Sequence, residues 1–212
     1  MKALDSIVRD GFVIGDIFIT PDLWSEAQEQ VMSITQSYFP SDLMPSSDNL
    51  SGFFNWSTLP KVIFATKDKQ LVGYVVAMPM QLNLPYIDVD EDTGEITKHA
   101  PEFIDDLIEV GELQDMLKDR GEVLTDKDYY LTYMAVDRNS PAVQSAGASK
   151  VLSIMNEFLQ TNLKAAGMKN IYSFFTQGAE LDSMRAVGWE QIGWSLFGES
   201  GQHKLAAGRC KL

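Results

Sequence analysis

Apolar residues recur at two spacings along this chain, and the change from one to the other lays out its elements. Residues 61–66 and 71–78 are runs of β-branched and aromatic residues separated by Lys67-Asp68-Lys69-Gln70, a pattern that predicts two strands and a tight turn. Residues 129–136 repeat that composition and predict a third strand. From 150 to 166 the period lengthens. Val151, Leu152, Met155, Phe158, Leu159 and Leu163 fall on one helix face, and Gly167 is placed to end that helix in a left-handed conformation. A strand at 170–175, a short helix at 179–187, Gly188-Trp189 and a strand ending near Phe197 follow. Nearer the N-terminus, 12–19 reads as a strand and 21–37 as a helix, with Thr20 as N-cap and Pro21 at its first position.

The junction between the third strand and the long helix carries the chemistry. Met134-Ala135-Val136 ends the strand, and Gln144-Ser145-Ala146-Gly147-Ala148-Ser149 opens the helix. The first turn of a helix has N–H groups without intrahelical partners, and the aligned peptide dipoles favour negative charge there. Gly147 and its small neighbours let an anion such as a diphosphate approach the main chain closely. Such turns also open ordinary helices.

This segment resembles the acyl-CoA signature of the GNAT superfamily of N-acetyltransferases, a Gln/Arg-x-x-Gly-x-Gly/Ala motif after the fourth strand. Here it reads Gln144-x-x-Gly147-x-Ser149, with Ser at the last position. Gly188-Trp189 is similar to the Gly-Phe that follows the last helix of that family, and the resemblance extends over roughly 60–80 and 129–198. It implies a mixed α/β (α+β) fold, a mostly antiparallel central sheet flanked by helices. It also implies acetyl-CoA, or another acyl-CoA, as co-substrate, with direct transfer to an amine. The pantetheine would pair with the strand at Met134, Ala135 and Val136, whose N–H polarises the thioester carbonyl. The diphosphate would sit on Gln144, Ser145, Ala146, Gly147, Ala148 and Ser149.

The family's side-chain catalysts are replaced. Its Tyr, a general acid four residues before the Gly of Gly-Phe, falls on Met184, which cannot donate a proton; Ser183 beside it could hold a water or simply cap the helix. The Asn near the start of that helix appears as Gln177. Asp128 is the carboxylate nearest the position of the family's general base, and reads first as a strand-end turn residue. Two-residue alternation sets Tyr130 and Tyr133 on opposite faces of the strand. Arg138, in a loop longer than the family's, is a candidate for a CoA phosphate.

Charge adds one feature. The net charge is −13, from 30 acids and 17 bases, and residues 81–128 hold 15 of those acids against Lys98, Lys118, Arg120 and Lys127. That acidic segment reads as an insertion between two core strands. Residues 86–90 and 95–98 around Glu91-Asp92-Thr93-Gly94 predict a β-hairpin, and 101–110 and 112–118 predict two short helices split by Gly111. Clustered charge of one sign steers the opposite sign, so the segment is either a lid attracting a cationic acceptor or a plain solvated surface. Asp88-x-Asp90-x-Asp92 is not a calcium loop, because Thr93 stands at the glycine position and His99 at the bidentate glutamate position.

The remaining composition sets bounds. With 212 residues, 45% of them hydrophobic, the chain can bury one core, as a single domain over 1–212 with the insertion at 81–128 and a tail at 199–212. No basic stripe for nucleic acid, no membrane-length apolar run and no basic-then-apolar leader is present, so a cytoplasmic protein without those partners is expected. The lone Cys210 reads as a bystander thiol in the tail, and the two distant histidines suggest no metal site. Trp24, Trp189 and Trp194 read as packing residues, while Phe53, Phe54 and Trp56 fall where the family forms its acceptor pocket. A small-molecule or peptide amine is the expected partner, and a homodimer stays open. The alternative is a GNAT-fold protein that has lost transfer activity and binds through its acidic segment.

Overall fold

The computed structural model describes residues 6–16, 21–39, 61–80, 86–89, 96–99, 105–175, 179–197 and 203–212. Ten strands and five helices lie among them: β1 (Ser6–Arg9), β2 (Phe12–Asp16), α1 (Pro21–Tyr38), β3 (Lys61–Lys67), β4 (Gln70–Pro79), β5 (Tyr86–Val89), β6 (Ile96–His99), α2 (Asp105–Lys118), β7 (Asp128–Val136), α3 (Pro141–Ala146), α4 (Ala148–Ala165), β8 (Asn170–Phe175), α5 (Ala179–Ala186), β9 (Trp189–Phe197) and β10 (His203–Lys211). Eight strands form one sheet in the order β1-β2-β3-β4-β7-β8-β10-β9, and β5-β6 form a separate antiparallel hairpin. Every pair in the large sheet is antiparallel except β7 with β8. Among the described residues no helix is long and apolar enough to cross a membrane.

The sheet is covered on both faces. The apolar face of α4 buries Val151, Leu152, Met155, Phe158, Leu159 and Leu163 against Ile63, Val75, Leu131 and Met134, the largest core cluster. On the opposite face α1 places Val31 and Ile34 against Tyr74, Val76 and Met78. Beside it, Leu113 and Leu117 of α2 cover Tyr130, Tyr172 and Ile192. Gly167 ends α4 as expected, with φ 81°.

Several expectations are corrected. The 199–212 segment is no tail: 203–211 form β10, inserted between β8 and β9 and bonded to both. Its Ala206, Ala207 and Cys210 are buried, so Cys210 is a core residue. Small side chains are required there, because a Cβ on Gly208 would lie 2.7 Å from the Phe175 ring. Gly111 does not split the acidic segment's helices; α2 runs through it, carried by the burial of Leu113 and Leu117 on one face. The Asp10-Gly11 turn, both residues at positive φ, adds β1 as an unforeseen edge strand. Trp194 is 40% exposed rather than packed, with the Lys204 ammonium 4.7 Å from its ring centroid. The Thr20 cap, the 91–94 turn, Phe53, Phe54, Trp56 and Gln177 lie outside the described residues, as does the Trp24 side chain.

Candidate active site

The single parallel pair builds the site. β7 and β8 are paired only from Asp128–Asn170 to Tyr130–Tyr172, although β7 continues to Val136 and β8 to Phe175. Ser173 Oγ donates to the Leu131 carbonyl at 2.8 Å just past the last pair. Beyond that cross-link the strands part. One edge of β7 stays on β4 as far as Val136, while the ladder between its other edge and β8 stops at Tyr130. A main-chain edge at such an opening can receive an extended amide-bearing ligand as a further strand.

A β-bulge shapes the opening. Val76 pairs with Tyr133 and Ala77 with Leu131, so Thr132 is an extra residue in β7. The bulge reverses the side-chain alternation beyond it. Tyr130 and Tyr133, expected on opposite faces, therefore both lie on the α1/α2 face, while Leu131 and Met134 both face α4. Tyr133 is half-buried, and the Phe39 ring at the end of α1 meets it edge-on at 6.2 Å.

The far end of β7 leads into the anion turn. Asp137 Oδ1 accepts from Asn139 N at 2.9 Å, and the Asp137 carbonyl accepts from Ser140 N at 3.1 Å. Pro141 then starts α3, a helix within what the sequence presents as a loop. Gln144 Nε2 donates to the Arg138 carbonyl at 3.0 Å, so the motif glutamine braces this connection. The Arg138 guanidinium is exposed and lies 4.5 Å from the Tyr38 ring centroid. Gly147 ends α3 and opens α4 with φ 87° and ψ 127°, a backbone conformation reserved for glycine. A Cβ built on it would meet nothing within 4 Å, so the main chain is open to approach. Ser145, Gly147 and Ser149 are exposed around it. Met134, Ala135 and Val136 lead to this turn from the open half of β7, so the structure brings the predicted cofactor residues together.

Asp128 stands apart from them. It lies at the paired end of β7, about 26 Å of extended strand from Val136. Its carboxylate is fully buried. Oδ2 accepts from Thr125 N at 2.7 Å and Thr125 Oγ1 at 3.0 Å, and Oδ1 accepts from Asn170 Nδ2 at 2.8 Å. These bonds tie β7 to β8 and to the preceding turn, so this side chain serves the fold and the general-base reading gives way. Met184 lies wholly in the core, and Ser183 beside it is 8% exposed. Tyr172, across from Tyr130, has its phenol pushed up to about 12 by burial and by the Asp128 carboxylate, although Arg209 offsets part of this, so it keeps its proton at neutral pH.

Two residues at the opening escaped sequence reasoning, Thr132 and Ser173. The Thr132 hydroxyl is buried and has no hydrogen-bond partner. The signal available was Leu131-Thr132-Tyr133-Met134, an apolar-polar-aromatic-apolar run that breaks strict alternation.

The chain matches no protein-family model and no curated protein in sequence. In structure it is similar to a mosquito arylalkylamine N-acetyltransferase-like protein, with 18% identity, a TM-score of 0.60 and coverage of 95% of this chain and 100% of that one. An agmatine N-acetyltransferase gives 14% identity, a TM-score of 0.60 and coverage of 96% and 100%. An N-acetyltransferase from Thermoplasma acidophilum, solved in complex with coenzyme A, gives 8% identity, a TM-score of 0.54 and coverage of 95% and 99%. With a mostly antiparallel central sheet flanked by helices, as expected, the chain has the fold of the GNAT N-acetyltransferases.

Proposed function

We propose that this protein transfers an acyl group, acetyl in the first instance, from an acyl-CoA to an amine. The observation that carries the reading is the end of the β7–β8 ladder at Tyr130 and Tyr172, with β7 running on from there to the Gly147 turn. Acyl-CoA brings the thioester that donates the acyl group. The chain's contribution is largely main-chain. The β7 edge from Thr132 to Val136 offers N–H and C=O groups to the pantetheine amides and an N–H to the thioester carbonyl. The first turn of α4 offers N–H groups to the diphosphate. Preorganised donors of this kind are a large catalytic term, and fixing both reactants supplies much of the remainder.

The acceptor enters from the α1/α2 face. Tyr133 lies on that face, and α2, which belongs to the acidic segment, packs on it. A cationic amine would be steered to the same side. Ser183 remains the residue of α5 that could hold a proton-relaying water.

The test is calorimetric titration with acetyl-CoA of the wild type and of Ser149→Glu. Ser149 is exposed in the first turn of α4, where a carboxylate favours the helix dipole, so the variant keeps its fold while repelling the diphosphate. Saturable binding to the wild type, weakened at least tenfold (roughly 1.4 kcal/mol) in the variant, supports the reading. Absence of binding at about millimolar acetyl-CoA, a standard free energy weaker than about −4 kcal/mol, sinks it and leaves a binding role for the acidic segment.

A further inference from the structure

The reading above rests on main-chain donors, yet one side chain at the opening is unexplained. Thr132 is the extra residue of the β7 bulge and directly follows Leu131, whose carbonyl receives the last cross-link from β8. Its hydroxyl is buried without a partner, while the residue as a whole is partly exposed. A buried, unpaired hydroxyl disfavours the folded state, and such groups are few in native structures. Valine has the same shape, has stronger strand propensity and would leave nothing unpaired. A turn of about 120° about χ1 carries the hydroxyl into the place of the methyl while the methyl moves into that of the Cβ hydrogen, so the side chain has a second staggered position for its O–H.

We propose that Thr132 is a catalytic residue whose hydroxyl donates a hydrogen bond to the acyl carbonyl oxygen of the bound thioester, beside the main-chain N–H of the bulge. This deepens the acyltransferase reading and rests on it. As the amine nitrogen forms its bond to the carbonyl carbon, negative charge grows on that oxygen, and the Thr132 O–H opposes it. When the carbon–sulfur bond breaks, the charge returns to the carbonyl and the thiolate takes up the proton that the nitrogen loses. Thr132 keeps its own proton throughout.

The experiment compares wild type, Thr132→Val and Thr132→Ser by calorimetric titration with acetyl-CoA and with CoA, alongside thermal unfolding. CoA lacks the carbonyl oxygen. The expected result is that Thr132→Val weakens acetyl-CoA by roughly 2- to 10-fold, leaves CoA unchanged, and melts no lower than the wild type, with Thr132→Ser restoring the preference. Once an amine acceptor is in hand, kcat of Thr132→Val should fall by about 100-fold or more with the KM for acetyl-CoA far less affected. Equal acetyl-CoA binding by wild type and Thr132→Val, with both binding CoA, overturns the role of Thr132 and leaves the acyltransferase reading standing. Failure of the wild type to bind either ligand overturns both.

Discussion

The placement of β10 inside the sheet can be tested with one chemical change made at two positions. Gly208 sits on β10 opposite Ser173 of β8, and an added Cβ there would lie 2.7 Å from Phe175 Cε2, 3.1 Å from Cδ2 and 3.2 Å from Trp189 Cε3. Ordinary contact begins at 3.4 Å, so the ring or the strand must yield by about 0.7 Å. The ring cannot swing aside: Phe175 is 2% exposed and is met edge-on by Trp189 at 4.9 Å and 89°. The strand must move instead, against its pairing on both sides, and overpacking of this kind costs about 1–3 kcal/mol. Gly111 is the counterpart. It lies exposed within α2, and a Cβ there meets nothing within 4 Å, so Gly111→Ala should stabilise by about 0.5–1 kcal/mol through helix propensity. For a chain of this length each kcal/mol moves Tm by about 2–4 °C, so the two variants should melt on opposite sides of the wild type. Calorimetric melting with matched denaturant titrations reads the difference. A Gly208→Ala protein that melts with the wild type would refute the argument that β10 is packed under the aromatic pair.

Three further outcomes follow from buried polar and charged groups. Asn156 on α4 is fully buried with neither amide atom bonded, so Asn156→Leu should raise stability by about 1–3 kcal/mol in urea titration; a loss would mean that the amide has a partner. Burial pushes the Cys210 thiol up to about 11, with Glu190 adding to the effect and Lys164 opposing it. The thiol should resist a disulfide reagent at about pH 8 until the protein is unfolded, and immediate stoichiometric reaction would contradict its place in the core. Burial alone would raise the Glu190 carboxyl, but its hydrogen bonds and charge pairing with Arg209, helped by Lys211, hold it below the ordinary value of 4.5. Because the folded value is the depressed one, the contribution is present above 4.5 and is lost as pH falls through the folded value. The fall in denaturation midpoint on acidification should be shallower in Glu190→Gln than in the wild type, and parallel pH curves would count against it.

Most elements were legible because burial imposes period. The α4 stripe and the β3–β4 hairpin each bury one chemistry in one direction, and Asp68 and Lys69 take the positive φ that such a tight turn demands. What escaped had a cause in each case. β10 reads as Leu-Ala-Ala-Gly, which looks like flexible chain, but its smallness answers the rings of Phe175 and Trp189, distant in sequence. Gly111 argued for a helix break on propensity alone, and the tertiary burial of Leu113 and Leu117 outweighed it. The Thr132 bulge shifts every later side chain of β7 to the other face, and strict alternation cannot foresee one extra residue. Asp128 was visible as a carboxylate, but its three donors come from Thr125 and Asn170, and the latter meets it only through the parallel pairing.

The two ends of that parallel pair explain why the proposed donor side of this site could be read and the proposed acceptor side could not. At the closed end the strands are held by side chains, with Asp128 on Asn170 and Ser173 on Leu131. At the open end the useful groups are those of the main chain, and main-chain chemistry leaves its mark in a sequence as residues that get out of the way. Gly147 is such a mark, since its φ of 87° and ψ of 127° admit no side chain without strain. Recognition of an amine has no equivalent mark. It depends on which side chains α1, α2 and the bulged strand turn towards one face, and the bulge alone decides that Tyr133 joins Tyr130 there. A substitution that shifted or removed the bulge would therefore change the lining of the proposed acceptor face while leaving the Gly147 turn intact. A fold of this kind can thus keep one donor while its acceptors diverge.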